Sequence, residues 1–98
     1  MYEIHKTTDF ETWLATIRDP LTRGRLFARL RKASLGNLGD VAPISDGVWE
    51  MREHFGAGWR MYYMQHRKVV ILMLGGGCKS TQTADIRKVK KLLLLLEG

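Results

Sequence analysis

GVWEMREHFGAGWRMYYM, residues 47–64, decides the fold of this chain. Two alternating runs flank a Gly56-Ala57-Gly58 break, the mark of a β-hairpin. A three-residue loop there predicts that Phe55 pairs with Trp59, that His54 lies opposite Arg60, and that Arg52 lies opposite Tyr62. Side chains alternate along a strand, so Arg52, His54, Arg60 and Tyr62 share one face. Trp49, Met51, Met61 and Tyr63 share the other. The second face packs. The first gathers two guanidiniums, an imidazole and a phenol, a set suited to a phosphate: arginine forks grip its oxygens, and histidine or tyrosine moves a proton. The competing reading is a solvated face with Arg52 paired to Glu50, worth about 0–1 kcal/mol. Spacing alone leaves the two readings level.

Outward from the hairpin, Tyr2–Lys6 reads as an edge strand. Thr8 is the expected cap of a first helix, with Glu11 as its capping-box partner. Phe10, Trp13, Leu14 and Ile17 form one stripe along that helix. Asp19-Pro20 starts a second helix running to about Leu35, since aspartate caps and proline fits the first turn. Its predicted buried face is Leu26, Phe27, Leu30 and Ala33, and Gly36 stops it. A brief strand near Val41–Ile44 is allowed before the hairpin. Val69–Leu74 is continuously apolar and reads as a strand in the sheet centre, broken by Gly75-Gly76-Gly77. A last helix begins near Ser80 or Thr81 and carries Ile86, Val89, Leu93 and Leu96 at helical spacing. Helices at both ends and strands grouped between them predict an α+β fold. Two N-terminal helices and one C-terminal helix would pack on a twisted, mostly antiparallel sheet of four or five strands.

At 98 residues the chain is read as one domain, 1–98. Its formal charge of +6 favours a polyanionic or acidic partner. Much of the excess lies on the second helix, where Arg23, Arg25, Arg29, Arg31 and Lys32 are candidates for a nucleic-acid backbone. Arg25, Arg29 and Lys32 share one face by spacing, although charged outer faces are most often only solvated. A lone cysteine, Cys78, allows no internal disulfide and fits a reducing cytoplasm. No signal peptide or spanning segment is read, so no membrane association is expected. His5, His66 and Cys78 lack companions at ligand spacing, so no metal or other cofactor is expected. Gly75–Ser80 follows a strand and precedes a helix, yet Cys78 stands where a phosphate-binding loop needs glycine before its lysine. Glycines that let Lys79 lean over the sheet edge are the alternative, beside a plain turn of the chain.

Three strings together, the hairpin, VVILMLGGG (69–77) and KSTQTADIRKVKKL (79–92), resemble the RelE/ParE toxin superfamily. The nearest branch is that of addiction-module killer proteins, similar to HigB-type toxins. The likeness spans nearly the whole chain. It implies a microbial-RNase-like fold and the toxin of a type II toxin–antitoxin module, active in the cytoplasm. The leading expectation is a ribosome-dependent mRNA endonuclease that contacts rRNA. A cognate antitoxin, often of helix-turn-helix type, would neutralise it, and the pair would meet operator DNA only as a complex. The alternative is a non-enzymatic, ParE-like inhibitor of DNA gyrase, and a third reading is a basic binding domain without toxicity. By matching position, the resemblance assigns Arg52, Arg60, Tyr62 and Lys79 to RNA binding or cleavage. The hairpin chemistry adds His54 as a candidate acid or base. Two positions depart: Cys78 stands where relatives frequently carry aspartate, and the leucine-rich end lacks the catalytic tyrosine or histidine of some members.

Overall fold

The computed structural model describes residues 1–97. Strand β1 (Glu3–Lys6) leads into helices α1 (Thr8–Ala15) and α2 (Pro20–Ser34). Strands β2 (Val41–Ser45), β3 (Val48–Arg52), β4 (Trp59–His66) and β5 (Val70–Cys78) follow, then a single 3-10 turn and helix α3 (Gln82–Glu97). One five-stranded sheet has the order β1-β5-β4-β3-β2. Among the described residues the β1–β5 pair is parallel and the other three are antiparallel. The predicted α+β class and antiparallel bias therefore hold.

The two sheet faces build two cores. Phe10, Leu14, Leu26 and Leu30 from α1 and α2 pack on Met51, Met61, Tyr63, Ile71 and Met73. Val89 and Leu93 of α3 cover Val48, Tyr62 and Leu74 on the opposite face. The hairpin alternation thus sorts its side chains as expected, Met51, Met61 and Tyr63 going to one layer and Tyr62 to the other. Trp49 remains partly exposed beside the β2 edge.

Several boundaries differ from expectation. Thr7, not Thr8, caps α1: its hydroxyl oxygen accepts from Phe10 N at 3.2 Å and its O–H donates to Met73 O at 2.9 Å. The cap that wins is the one that also ties the helix to β5. The Asp19 cap and Pro20 start of α2 are as read. Phe27 is solvent-facing beneath the Lys6 ammonium, and Arg29 takes the buried place. The glycine triplet does not break β5, because α1 and α3 press on both of its faces. A methyl on Gly76 would lie 2.4 Å from the Trp13 ring, and one on Gly77 would lie 1.8 Å from Asp85 Oδ2. Leu94, Leu95 and Leu96 are exposed, so the apolar stripe of α3 ends at Leu93. No helix among the described residues is long and apolar enough to cross a membrane.

Candidate functional site

The hairpin register sets the site. Arg52 lies opposite Arg60 and Glu50 opposite Tyr62, two residues from the expected pairing. The connection is longer than three residues, with Glu53 N donating to Trp59 O across its base. A slip of two preserves the face of every side chain. So Arg52, Arg60 and Tyr62 share a face as predicted, whereas His54 leaves the strand for the loop.

Across the next ladder Trp59 pairs with Cys78 and Arg60 with Gly77. This brings the β3–β4 loop to the same end of the sheet as the β5–α3 junction. Lys79 N donates to Gly58 O at 2.9 Å. A methyl added at Gly58 would sit 3.3 Å from Lys79 Cβ and 3.9 Å from Arg60 Nη1, so both basic side chains border that glycine. Arg60 is only 7% exposed. Its Nη1 donates to Glu53 O and Trp59 O at 3.1 Å each. Its Nε is buried with no partner, and no carboxylate pairs with it among the described residues. Such a guanidinium carries a charge that no side chain offsets, which an anion can complement.

The other predicted cations are differently placed. Arg52 Nη2 donates to Asp40 Oδ1 at 2.8 Å, and its Nη1 lies 3.9 Å from Glu50. His54 Nε2 lies 2.6 Å from Asp40 Oδ2. Hydrogen bonds first from Arg52 and then from His54 hold the Asp40 carboxyl down at about 2. Arg52 is thereby neutralised, and His54, largely exposed, is oriented by a fixed carboxylate. Tyr62 is fully buried under α3. Burial, followed by the Glu50 and Asp85 charges, pushes its phenol far above the ordinary value. Its hydroxyl lacks a completed hydrogen bond, though the Gln82 amide is near. The Tyr62 O–H therefore cannot reach a bound strand, which corrects its expected part in RNA binding or cleavage.

Arg29 is a second correction. On a helix it sits in line with Leu26, Leu30 and Ala33, so it points at the sheet. Its Nη1 donates to Glu53 Oε1 at 2.8 Å and to Arg52 O at 2.9 Å. Its Nε and Nη2 reach Leu38 O at 3.1 and 2.9 Å, and Nη2 also reaches Asp40 O at 2.7 Å. A guanidinium with these bonds holds loops, not RNA. Gly39 makes the approach possible: its φ of +68° suits glycine, and a methyl there would come within 3.0 Å of Arg29 Cζ. Arg25 stacks on Phe55, with Cζ 4.6 Å from the ring centre. Arg23, Arg31 and Lys32 remain exposed on α2.

Sequence reasoning missed Asp40, Glu53, Gln82 and Asp85. Gln82 donates to Glu50, and the Thr81 hydroxyl donates to Asp85. Thr81 also accepts from Cys78 N at 3.2 Å, closing the junction. Hydrogen bonds from Ser80 and Thr81 lower the Cys78 thiol below its ordinary value. For Glu50 a signal existed, since alternation puts it on the Arg52 face. Asp40 gave none: its partners lie 12 and 14 residues away.

Fold and site define a small α+β domain with a cation-lined sheet end. A Haemophilus influenzae protein described as uncharacterized is 34% identical over 90 residues, covering 92% of this chain and 91% of that one. The chain belongs to one family with it. No protein-family profile matches the chain.

Proposed function

We propose that this protein is the toxin of a type II toxin–antitoxin module and cleaves mRNA on the ribosome, as its resemblance to RelE/ParE toxins suggests. One observation carries the reading. Arg60 lies at the sheet end, nine-tenths buried and paired with no carboxylate among the described residues, with Lys79 beside it. In the reaction an RNA 2′-oxygen attacks the adjacent phosphorus and the bond to the 5′-oxygen breaks. The products are a cyclic phosphate and a free 5′-hydroxyl. Negative charge builds on the phosphoryl oxygens, and cations fixed beforehand stabilise it without reorganising. Arg60 and Lys79 take that role. His54, aligned by Asp40, exchanges the proton, and Arg52 positions Asp40. The exposed Arg23, Arg31 and Lys32 hold rRNA backbone, and a cognate antitoxin masks the cationic end in the cytoplasm.

The test is a brief pulse of expression with primer-extension mapping of transcripts. Wild-type protein is expected to arrest growth and cut within codons. Arg60→Ala should lose about 3 kcal/mol of transition-state stabilisation, roughly a hundredfold in rate, while its circular dichroism stays native. A folded Arg60→Ala that still cuts overturns the mechanism. The gyrase reading draws support from one finding: Arg52 is spent on Asp40 and Tyr62 is buried, which thins the set of proton-transfer groups. Intact transcripts with lost supercoiling would select it. Unimpeded growth on induction would leave a basic binding domain.

A further inference from the structure

The β5 edge opposite β4 is open over its glycine half. β1 reaches only as far as the Lys6–Met73 pair, and the chain then turns into α1. Trp59 turns its carbonyl to β3, where it accepts from Glu53 N. Antiparallel strands alternate, so Arg60 and Tyr62 turn their main chains to β5 and bond Gly77 and Gly75. Gly76 must therefore aim its N–H and C=O away from β4, and no strand among the described residues borders it on that side. Further along β5 the main chain is engaged on either side of the triplet: the Thr7 hydroxyl donates to Met73 O and approaches Leu74 O, and Thr81 Oγ1 accepts from Cys78 N.

That edge floors a cleft of about 370 Å³ between α1 and α3. The Trp13 indole and Val89 give it apolar walls, and Asp9, Asp85 and Lys88 stand at its rim. The volume falls in the roughly 300–1,000 Å³ range of small-molecule sites. In extended backbone the N–H and C=O of one residue are parallel and close together, which matches the donor–acceptor edge of a planar heterocycle. Asp85 adds an acceptor to the lining of the same cleft. Thr81 occupies its Oδ2, and no hydrogen bond engages Oδ1 among the described residues.

We infer that this cleft binds an aminated nucleobase, adenine or cytosine, read by the Gly76 main chain and Asp85. The ring acceptor takes the Gly76 N–H. One amino hydrogen goes to Gly76 C=O and the other to Asp85 Oδ1, while the indole covers apolar ring surface. The base comes either from a free mononucleotide or from an RNA strand. The inference stands apart from the reading of the cationic end, because neither Gly76 nor Trp13 has a part there and Asp85 touches that end only through Thr81.

The experiment follows the Gly76 amide and the Trp13 indole N–H by nuclear magnetic resonance of the whole protein. Adenosine and cytidine monophosphates are expected to shift both signals. Inosine and uridine monophosphates, which put a carbonyl oxygen where the amino group belongs, should bind roughly tenfold or more weakly. Ribose 5-phosphate should leave both signals in place. Thr12→Trp, an exposed change at the cleft mouth, should remove the response while the remaining spectrum stays native. Arg60→Ala should retain it. A short oligoadenylate binding more tightly than the mononucleotide upholds the site and assigns the base to a strand; equal affinity upholds it with a free nucleotide. No shift at millimolar nucleotide, an equal response to ribose 5-phosphate or to inosine monophosphate, or loss of the response in Arg60→Ala overturns it.

Discussion

Replacing Arg29 by methionine should cost the fold more than any other loss of a basic side chain on α2. The guanidinium makes five hydrogen bonds, to three carbonyl oxygens and to Glu53. Methionine keeps the apolar stem and removes every donor. The Leu38, Asp40 and Arg52 carbonyls then lose partners that were charged, each worth about 1.5–3 kcal/mol net. Glu53, 22% exposed, is partly rescued by water. Breaking a buried pair from one side costs about 3–5 kcal/mol, and about 4 is expected here. Against a total of about 5–15 kcal/mol that is a large share. At about 4–8 °C per kcal/mol for a domain of this size, the melting temperature should fall by roughly 15–30 °C. Thermal and urea unfolding followed by circular dichroism measures it. Arg31→Met, at an exposed site on the same helix, is the control and should stay within about 0.5 kcal/mol. A loss below about 1 kcal/mol for Arg29→Met would refute the reasoning and return Arg29 to the surface-contact role its spacing first suggested.

Asp40 gives the acid limb of stability a defined cause. Its carboxyl sits at about 2 in the folded protein against an ordinary 3.8, so its contribution is complete above pH 4 and is lost as pH falls through that window. Urea midpoints measured from pH 5 to 2 should fall less steeply in Asp40→Asn than in the wild type. Tyr62→Phe removes a buried hydroxyl with no completed hydrogen bond, so stability should hold or rise by up to about 1 kcal/mol. The same variant should arrest growth like the wild type, and loss of arrest with a native fold would restore Tyr62 to the chemistry.

The parts of this fold written in local pattern were legible. Alternation in residues 47–64 sorted Met51, Met61 and Tyr63 from Arg52, Arg60 and Tyr62, because the period of a strand survives an even slip in register. Asp19-Pro20 and Gly36 bounded α2 through cap chemistry that involves only near neighbours. What failed was decided at a distance. Glycines at 75–77 look like a break until α1 and α3 are laid on either side, where only hydrogen fits. Arg29 looks like one of several outer-face cations until the Leu38–Asp40 loop folds beneath it. The cationic end was half legible for the same reason: Arg60 and Lys79 lie in readable positions, but the acid that claims Arg52 and His54 comes from a loop no spacing rule connects to them.

The Thr7 hydroxyl reaches the Leu74 carbonyl across a separation of 67 residues. At a synthesis rate of about 5–20 residues per second, the opening strand and its helix wait roughly 3–13 s for the segment that receives them. Until then the β4–β5 ladder that seats Arg60 against Gly77 cannot form, and Lys79 does not yet exist. The cationic end is therefore assembled only once the last third of the chain has been made.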